Sequence, residues 1–572
     1  MHSCQEGCSV LCLSFQLIPV KANNLHPIYI MQVSDLFRFK NPEVKALHLT
    51  WIAFFICFYV WFNMAPLASS MLKSVGWLTR DDIRLFAIAN VAMTIPARIL
   101  VGMALDRYGP RRVFSILMVL MALPTMVFAF GESKEQLFIS RLVLSSVGAS
   151  FVVGIHMTAL WFKPRDIGFA EGFYAGWGNF GSAAAAMTLP TIALTAFGGS
   201  EGWRYAIAIS GVTMGLYGIF YWFAITDGPS ADTHKKPRKA SAIEVSSYRD
   251  LVILAIMTVP MIGVLSILVW RVHSTGYIDD LTAWILYFSI FVAIVYQLYH
   301  VFQVNLPILK KGIPEDDRYP FSTVAALNTT YFANFGAELA VVSMLPMFFE
   351  ETWGLTAATA GLIAASFAFV NLFARPMGGL ISDRFGNRRF VMLAYMLGIA
   401  IGFALMGLMD SKWPLIIAVA ITIGCSFFVQ GAEGATFGII PSIKRRLTGQ
   451  ISGMAGAYGN VGAVFYLFVF MFVTPSQFFM IIAAGAFVSW IVCFIWLKEP
   501  EGGFGDEYIV SSVDKAIAEE ARRKRETQNK LVEVFRGCHK VDLTEKSDGI
   551  EMSARFKDIN DLHRLVDQLR KG

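Results

Sequence analysis

Long runs without a charged residue constrain this chain most: Ala46–Leu72, Val113–Gly131, Leu251–Trp270, Leu281–Leu309 and Gly449–Leu497 contain no Asp, Glu, Lys or Arg. Each reaches or exceeds the roughly 18 apolar residues that mark a membrane-crossing helix. In lipid the backbone polar groups must be satisfied within the element itself, so such runs are helices. Apolar windows of about 20 residues predict spans near 48–70, 85–105, 113–131, 137–160, 168–196, 205–226, 251–270, 281–304, 321–349, 357–381, 390–409, 413–440, 450–473 and 477–497. These fourteen spans describe an all-α polytopic membrane protein. Composition agrees, since only 16% of the 572 residues are charged, against about 25% in soluble domains.

The net charge of +6 resides largely in loops. Lys and Arg concentrate at 106–112, 163–166, 227–250, 310–319, 383–389 and 444–446, and the opposite loops hold fewer than half as many. Under the positive-inside rule this places both termini in the cytoplasm of a cell-membrane protein, and it explains the basic balance without nucleic acid. The seven cysteines, at 4, 8, 12, 57, 425, 493 and 538, show no metal-ligand spacing with histidine, and no cofactor is implied. Residues 1–45 read as an N-terminal arm that lacks the basic, then apolar, pattern of a signal peptide. Residues 1–30 read as an over-extended start or a dispensable arm, because Met31 opens a natural lead-in to the first span. Residues 500–572 read as a polar cytoplasmic tail with a charged helix at Asp514–Val534.

An internal repeat organises the spans. Ala97-Arg98 with Asp106-Arg107-Tyr108-Gly109-Pro110-Arg111-Arg112 recurs as Ala374-Arg375 with Asp383-Arg384-Phe385-Gly386-Asn387-Arg388-Arg389, every position offset by 277. Gly178-Asn179-Phe180-Gly181 recurs as Gly459-Asn460-Val461-Gly462 at an offset of 281. Duplicated halves are a signature of transporter folds. Residues 46–228 and 321–499 therefore form two six-span halves, with 229–320 supplying linkers and two inserted spans.

Arg98 is the sole charged residue between Leu85 and Leu105, and Arg375 the sole one between Ala357 and Ile381. At 1.5 Å per residue each lies about 12 Å from the aspartate ending its span, near the midplane of a roughly 30 Å core. Burial there costs at least about 2.5–3.5 kcal/mol on insertion scales. A buried carboxylate partner is the structural alternative. Two repeat-related arginines instead suggest a central site for a small anion, because the planar fork binds oxyanions bidentately.

The loops Asp106, Arg107, Arg111, Arg112 and Asp383, Arg384, Arg388, Arg389 resemble the Gly-x-x-x-Asp-Arg-x-Gly-Arg-Arg signature of the major facilitator superfamily. The expected chemistry is gating by ion pairs and helix-end capping at the cytoplasmic seam. Gly176-Trp177-Gly178-Asn179-Phe180-Gly181 and, with Ala457 in place of the first glycine, Gly459-Asn460-Val461-Gly462 resemble the signature of the nitrate/nitrite porters of that superfamily. Small-residue helix packing alone would explain the glycines. Asparagine adds an amide that can donate to an oxyanion.

The resemblance covers roughly residues 40–500 and implies further residues. Arg98 and Arg375 clamp the anion, while an aromatic cluster sandwiches it, and this falls on Phe151, Tyr331 and Phe335. Apart from the resemblance, Glu433 and Glu338 are acidic residues in predicted spans and the candidates for proton coupling, with His156 a further titratable group and Glu171, near the cytoplasmic entrance of its span, assigned to a gate ion pair. The reading is a secondary transporter of nitrate, nitrite or both by alternating access within the lipid bilayer, with a proton as the expected co-substrate. Nitrate/nitrite exchange, transport of another small anion, and a membrane sensor acting through the tail are the alternatives. No nucleophile, base and orienter set points to an enzyme. The inserted spans are expected to be peripheral, so excising Leu251–Leu309 should leave measurable uptake.

Overall fold

The computed structural model describes residues 12–16, 36–162, 167–228, 242–313, 318–385, 387–444, 447–498, 540–546 and 549–555. The chain divides into a large helical unit, Met31–Gly503, and a small unit of terminal residues.

Fourteen helical stretches in the large unit are long and apolar enough to cross a membrane. Several are broken, giving twenty α-helices. The first half holds α1 (Pro42–Trp61), α2 (Ala68–Ser74), α3 (Arg80–Ala92), α4 (Thr94–Tyr108), α5 (Pro110–Phe130), α6 (Lys134–Leu144), α7 (Ser150–Trp161), α8 (Ile167–Thr191) and α9 (Gly202–Ala224). The insertion holds α10 (Tyr248–Gly263), α11 (Leu265–Ser274) and α12 (Asp280–Lys311). The second half holds α13 (Phe321–Ala333), α14 (Phe335–Trp353), α15 (Ala357–Phe369), α16 (Asn371–Arg384), α17 (Arg388–Gly407), α18 (Leu415–Ile443), α19 (Thr448–Phe470) and α20 (Pro475–Trp496). The perimeter is apolar, with Phe223, Trp284 and Ile416 each more than 70% exposed. Such a surface suits lipid, and the protein is a multi-pass membrane protein.

The breaks follow from local chemistry and recur with the repeat. Pro96 has no N–H to offer the Ala92 carbonyl, so the second span parts at Met93 into α3 and α4. The eighth core span parts at Val370, which is Met93 plus the same 277 residues. Arg98 and Arg375 thus each stand in the second turn of a new helix, where the positive end of the helix dipole adds to their own charge. Glycines bring the halves' helices together. A Cβ on Gly181 would sit 2.1 Å from the Phe55 carbonyl oxygen of α1, and one on Gly462 would sit 2.3 Å from that of Phe332 in α13. Any side chain there would force the backbones apart.

The two inserted spans differ. α12 lies outermost, with 6% of its apolar window buried. α10 and α11 instead pack across the seam, against α3 and α4 on one side and α13 and α19 on the other. The Tyr277 hydroxyl donates to Asp82 at 3.1 Å, the Trp270 ring meets Phe468 at 5.6 Å, and the Tyr458 hydroxyl donates to the Met257 carbonyl at 2.6 Å. Excision of 251–309 would therefore remove a contact to the signature helix α19 as well as a lipid-facing span.

The terminal unit is a three-stranded antiparallel sheet, β1 (Cys12–Gln16), β2 (Lys540–Lys546) and β3 (Gly549–Arg555), in the order β1-β3-β2. Cys12 and Lys540 both pair with Arg555. The sequence reading kept arm and tail separate, yet Val541, Leu543, Ile550, Met552 and Ala554 alternate with polar residues at the two-residue period of a strand. The helix expected at Asp514–Val534 lies outside the described residues.

Tyr458→Phe should lower stability by about 0.6 kcal/mol, the mean worth of an interhelical side-chain hydrogen bond in membranes. Thermal unfolding of the detergent-solubilised protein checks this, and an unchanged or higher melting temperature would contradict a stabilising role for the Tyr458–Met257 hydrogen bond.

Candidate functional site

Arg375 is 1% exposed and paired: its Nη1 forms an ion pair with Glu433 Oε2 at 2.7 Å, and its Nη2 donates to the Tyr331 hydroxyl at 2.6 Å. Arg98 is 5% exposed, and none of its three guanidinium nitrogens has a hydrogen-bond partner among the described residues. The carboxylate-partner alternative therefore holds for one arginine and not for the other. Arg98 therefore stands in the site as a cation without a hydrogen-bonding partner among the described residues, open to an anion.

Aromatic rings join the two cations. Arg98 lies 5.2 Å from the centre of the Phe151 ring, and Arg375 lies 5.7 Å from that of Phe335. Tyr331 and Phe335 stack at 5.0 Å because they stand one turn apart on consecutive helices, α13 and α14. Phe437 of α18 closes the series, 5.6 Å from Phe151 and 5.3 Å from Tyr331. The structure thus brings Arg98, Phe151, Tyr331, Phe335 and Arg375 into one continuous group drawn from both halves. Guanidinium forks at the ends and flat rings between them suit a small planar oxyanion.

The signature helices serve this group unequally. A Cβ on Gly456 would stand 2.7 Å from Arg98 Nη1, so α19 leaves room for the guanidinium at the position beside Ala457, where the second signature departs from the first. Gly459 lies under Tyr331 and Phe335, Gly178 lies under Phe54, and Gly176 faces the Asn371 carbonyl of α16. With Gly181 and Gly462, these glycines are close-packing positions. Asn460 is buried, but its Nδ2 donates to the Gly456 carbonyl of its own helix at 3.0 Å. Asn179 is buried with neither amide atom partnered among the described residues, so it is the signature asparagine with a free donor.

Glu338 is also buried, and its Oε1 accepts from Asn371 Nδ2 at 2.5 Å. His156 is half-buried on α7 and has a partner of its own. Glu171 is buried near the start of α8, and the basic loop expected to pair with it, 163–166, lies outside the described residues.

In the first gating loop Gly109 takes φ +79°, and the Arg111 N–H donates to Asp227 Oδ1 at 2.7 Å. Asp227 thereby caps α5, and Gly109 is needed because a Cβ there would meet that carboxylate at 2.9 Å. Arg107 lies over the Tyr108 ring and Arg111 over Trp222, while Arg112 is exposed. In the second loop Asn387 caps α17, Arg388 is buried, and Arg389 donates to the Phe494 carbonyl at 2.5 Å. The side chains of Asp106, Asp383 and Arg384, and Gly386 altogether, lie outside the described residues.

Three groups of functional interest escaped sequence reading. Phe437 carries the signal of standing one turn beyond Glu433. Phe54, which stacks on Tyr174 at 4.8 Å and lies 5.8 Å from Phe151, matches Tyr331 at the repeat offset of 277, as Phe58 matches Phe335. At the opposite end from the gating loops, Ser69 and Lys73 contact Glu350 at 2.6 and 3.6 Å and Arg80 pairs with Glu351 at 2.7 Å, tying the two halves together. No repeat or motif marks these last residues.

Two repeated six-span halves meeting at a buried group of cations and rings define a carrier of the major facilitator type. The chain matches the Major Facilitator Superfamily over residues 50–316 and 327–526. It is 42% identical over 507 residues to the nitrate/nitrite transporter NrtP of a Picosynechococcus species, covering 82% of this chain and 95% of that protein. To the nitrate/nitrite transporter NrtP of Nostoc punctiforme it is 41% identical over 486 residues, covering 83% and 96%. Among solved structures, the partially occluded inward-open xylose transporter XylE from E. coli superposes with a TM-score of 0.54 over 80% of this chain and 100% of that one, at 14% identity, a likeness of fold. The chain belongs to the nitrate/nitrite transporter family of the major facilitator superfamily.

Gly456→Ala should displace the Arg98 guanidinium and sharply weaken anion uptake in a normally inserted protein. Wild-type uptake by this variant would show that Arg98 needs no such room. Arg98→Lys and Arg375→Lys should each severely impair transport although the charge is kept, because lysine lacks the planar fork. Labelled-anion uptake by membrane-verified variants checks both.

Proposed function

We propose that this protein carries nitrate, nitrite or both across a cell membrane by alternating access, and that a proton enters with the anion. The carrying observation is the unpartnered Arg98 joined through Phe151, Phe437, Tyr331 and Phe335 to the engaged Arg375. The relatives named as nitrate/nitrite transporters support the choice of anion.

An anion arriving at Arg98 competes with Glu433 for Arg375. Once released, a carboxylate at this depth is costly to keep ionised and takes up a proton. The site loaded with one anion and one proton then carries the same net charge as the empty site. Loaded and empty carriers therefore meet the same electrostatic cost in the occluded state, which favours symport over exchange. Halves rock about the site. The ties at Glu350 and Glu351 are partly exposed ion pairs, each worth about 0–1 kcal/mol, weak enough to break once per cycle. The basic loops support a cytoplasmic location for both termini.

Counterflow in proteoliposomes loaded with nitrate should draw in labelled nitrate or nitrite. Equal exchange of chloride or formate would overturn the assignment of the anion. Glu433→Gln should lose pH-driven uptake while retaining nitrate exchange. Wild-type pH dependence in that variant would remove Glu433 from the coupling step.

A further inference from the structure

The halves meet along two lateral seams that the repeat makes equivalent and the packing does not. On one, α8 lies against α16: a Cβ on Gly172 would stand 3.6 Å from the Pro376 Cα, and one on Gly176 would stand 2.6 Å from the Asn371 carbonyl oxygen. At the repeat offset of 281 these positions become Gly453 and Ala457 of α19, which packs with α4 along the other seam. There an added Cβ on Gly453 meets nothing within 4 Å among the described residues, and neither does one on Gly449 a turn away. This second seam is the looser. The first inserted span lies along it, α10 touching α4 and α19 and α11 touching α3 and α19.

The two segments of that span are attached to different halves. In the loop after α11, the Tyr277 hydroxyl donates to Asp82 at 3.1 Å and the ring lies 5.5 Å from that of Phe138. Asp82 is itself held by Lys134 at 2.7 Å and by Thr79, so Tyr277 is fastened to a carboxylate fixed within the first half. In the second half, α10 packs on α13, and its Met257 carbonyl accepts from the Tyr458 hydroxyl of α19 at 2.6 Å. Between these attachments the span is weak. Pro260 has no N–H to offer the Ile256 carbonyl, and α10 ends at Gly263, parted from α11 at Val264. Trp270 alone, of the side chains on α11 with a ring partner among the described residues, reaches across to the second half, 5.6 Å from the Phe468 ring and 6.2 Å from that of Phe472. Close by along α3 and α19, Arg84 lies 5.1 Å from the centre of the Phe470 ring. This is the side of the membrane on which Glu350 and Glu351 join the halves.

We infer that the α10–α11 span is a hinged strap over the looser seam, with Trp270 as its releasable contact. The inference rests on the alternating-access reading above. When the side bearing Glu350 and Glu351 opens, α3 moves away from α19. The α11 segment stays with α3 through Tyr277, the α10 segment stays with α13 and Tyr458, and the angle between them changes at Pro260–Val264. The Trp270 ring then leaves Phe468 and Phe472. Ring contacts can part without orphaning a hydrogen-bonding group, whereas release of Tyr277 or Tyr458 would take a bond from Asp82 or from a helix carbonyl. The strap keeps the seam covered while the halves move, and its hinge limits how far they part.

Cysteine pairs read the two attachments separately. In Trp270→Cys/Phe468→Cys, a short bis-methanethiosulfonate joining the two thiols should stop nitrate counterflow in proteoliposomes, and a thiol reductant should restore it. In Tyr277→Cys/Phe138→Cys, the same bridge should leave counterflow at its unbridged rate. The wild-type chain treated with the reagent is the reference, and peptide mass spectrometry verifies each bridge. Pro260→Ala, which supplies the missing N–H and stiffens the bend, should slow counterflow several-fold while nitrate binding to the detergent-solubilised protein keeps its wild-type affinity. Unchanged counterflow with the Trp270–Phe468 bridge closed overturns the strap, since that contact would not have to part. Loss of counterflow with the Tyr277–Phe138 bridge closed overturns it as well, since that attachment would not be the lasting one. A pair that cannot be bridged contradicts the contact it tests and has the same effect. Wild-type counterflow in Pro260→Ala removes the hinge. A wild-type chain without nitrate counterflow defeats the transport reading itself, before any bridge is compared.

Discussion

A guanidinium held near the middle of a bilayer costs at least about 2.5–3.5 kcal/mol on insertion scales, and the bundle meets that cost in two different ways. Arg375 is neutralised by Glu433 and fixed by the Tyr331 hydroxyl. Arg98 has only the faces of neighbouring rings, chiefly Phe151, and the space left by Gly456. Sequence repeat makes the two arginines equivalent, whereas their surroundings make one a standing ion pair and the other an open cation. In the proposed symport, that asymmetry is what lets a single anion bind and also displace an internal carboxylate.

The surrounding architecture keeps this group both dry and divisible. Close glycine contacts join helices within each half, Gly181 of α8 against α1 and Gly462 of α19 against α13. Contacts between the halves combine ring edges at Phe437 and Phe151 and partly exposed ion pairs at Glu350 and Glu351 with close glycine packing of α8 on α15 and α16, at Gly361 and Gly176. Alternating access by rocking of the halves requires contacts of this seam to part and re-form. The insertion adds to this seam, for α10 and α11 touch both halves while α12 faces outward. The Tyr458 contact attaches the insertion directly to the helix that makes room for Arg98.

The sequence by itself determined the fourteen spans, the two halves and the two arginines, because each rests on a property that needs no neighbour. A charge-free run of 20 residues has one stable state in lipid, and a charge within such a run stands out against its own segment. Tyr331 and Phe335 became legible only through family resemblance, since 14% of this chain is aromatic and no local rule separates a site ring from a packing ring. Phe437 and Phe54 stayed hidden for the same reason. The tertiary structure alone decided that Glu433 faces Arg375, that Glu338 meets Asn371, that Asn460 spends its donor on its own helix while Asn179 does not, and that one inserted span reaches the core. Those facts depend on the rotation of each helix about its axis and on which neighbour it meets. Hydrophobic periodicity sets such rotations in a soluble bundle, but in a span apolar on every side it sets almost nothing, so the packing of glycines and the pairing of buried charges fix them instead.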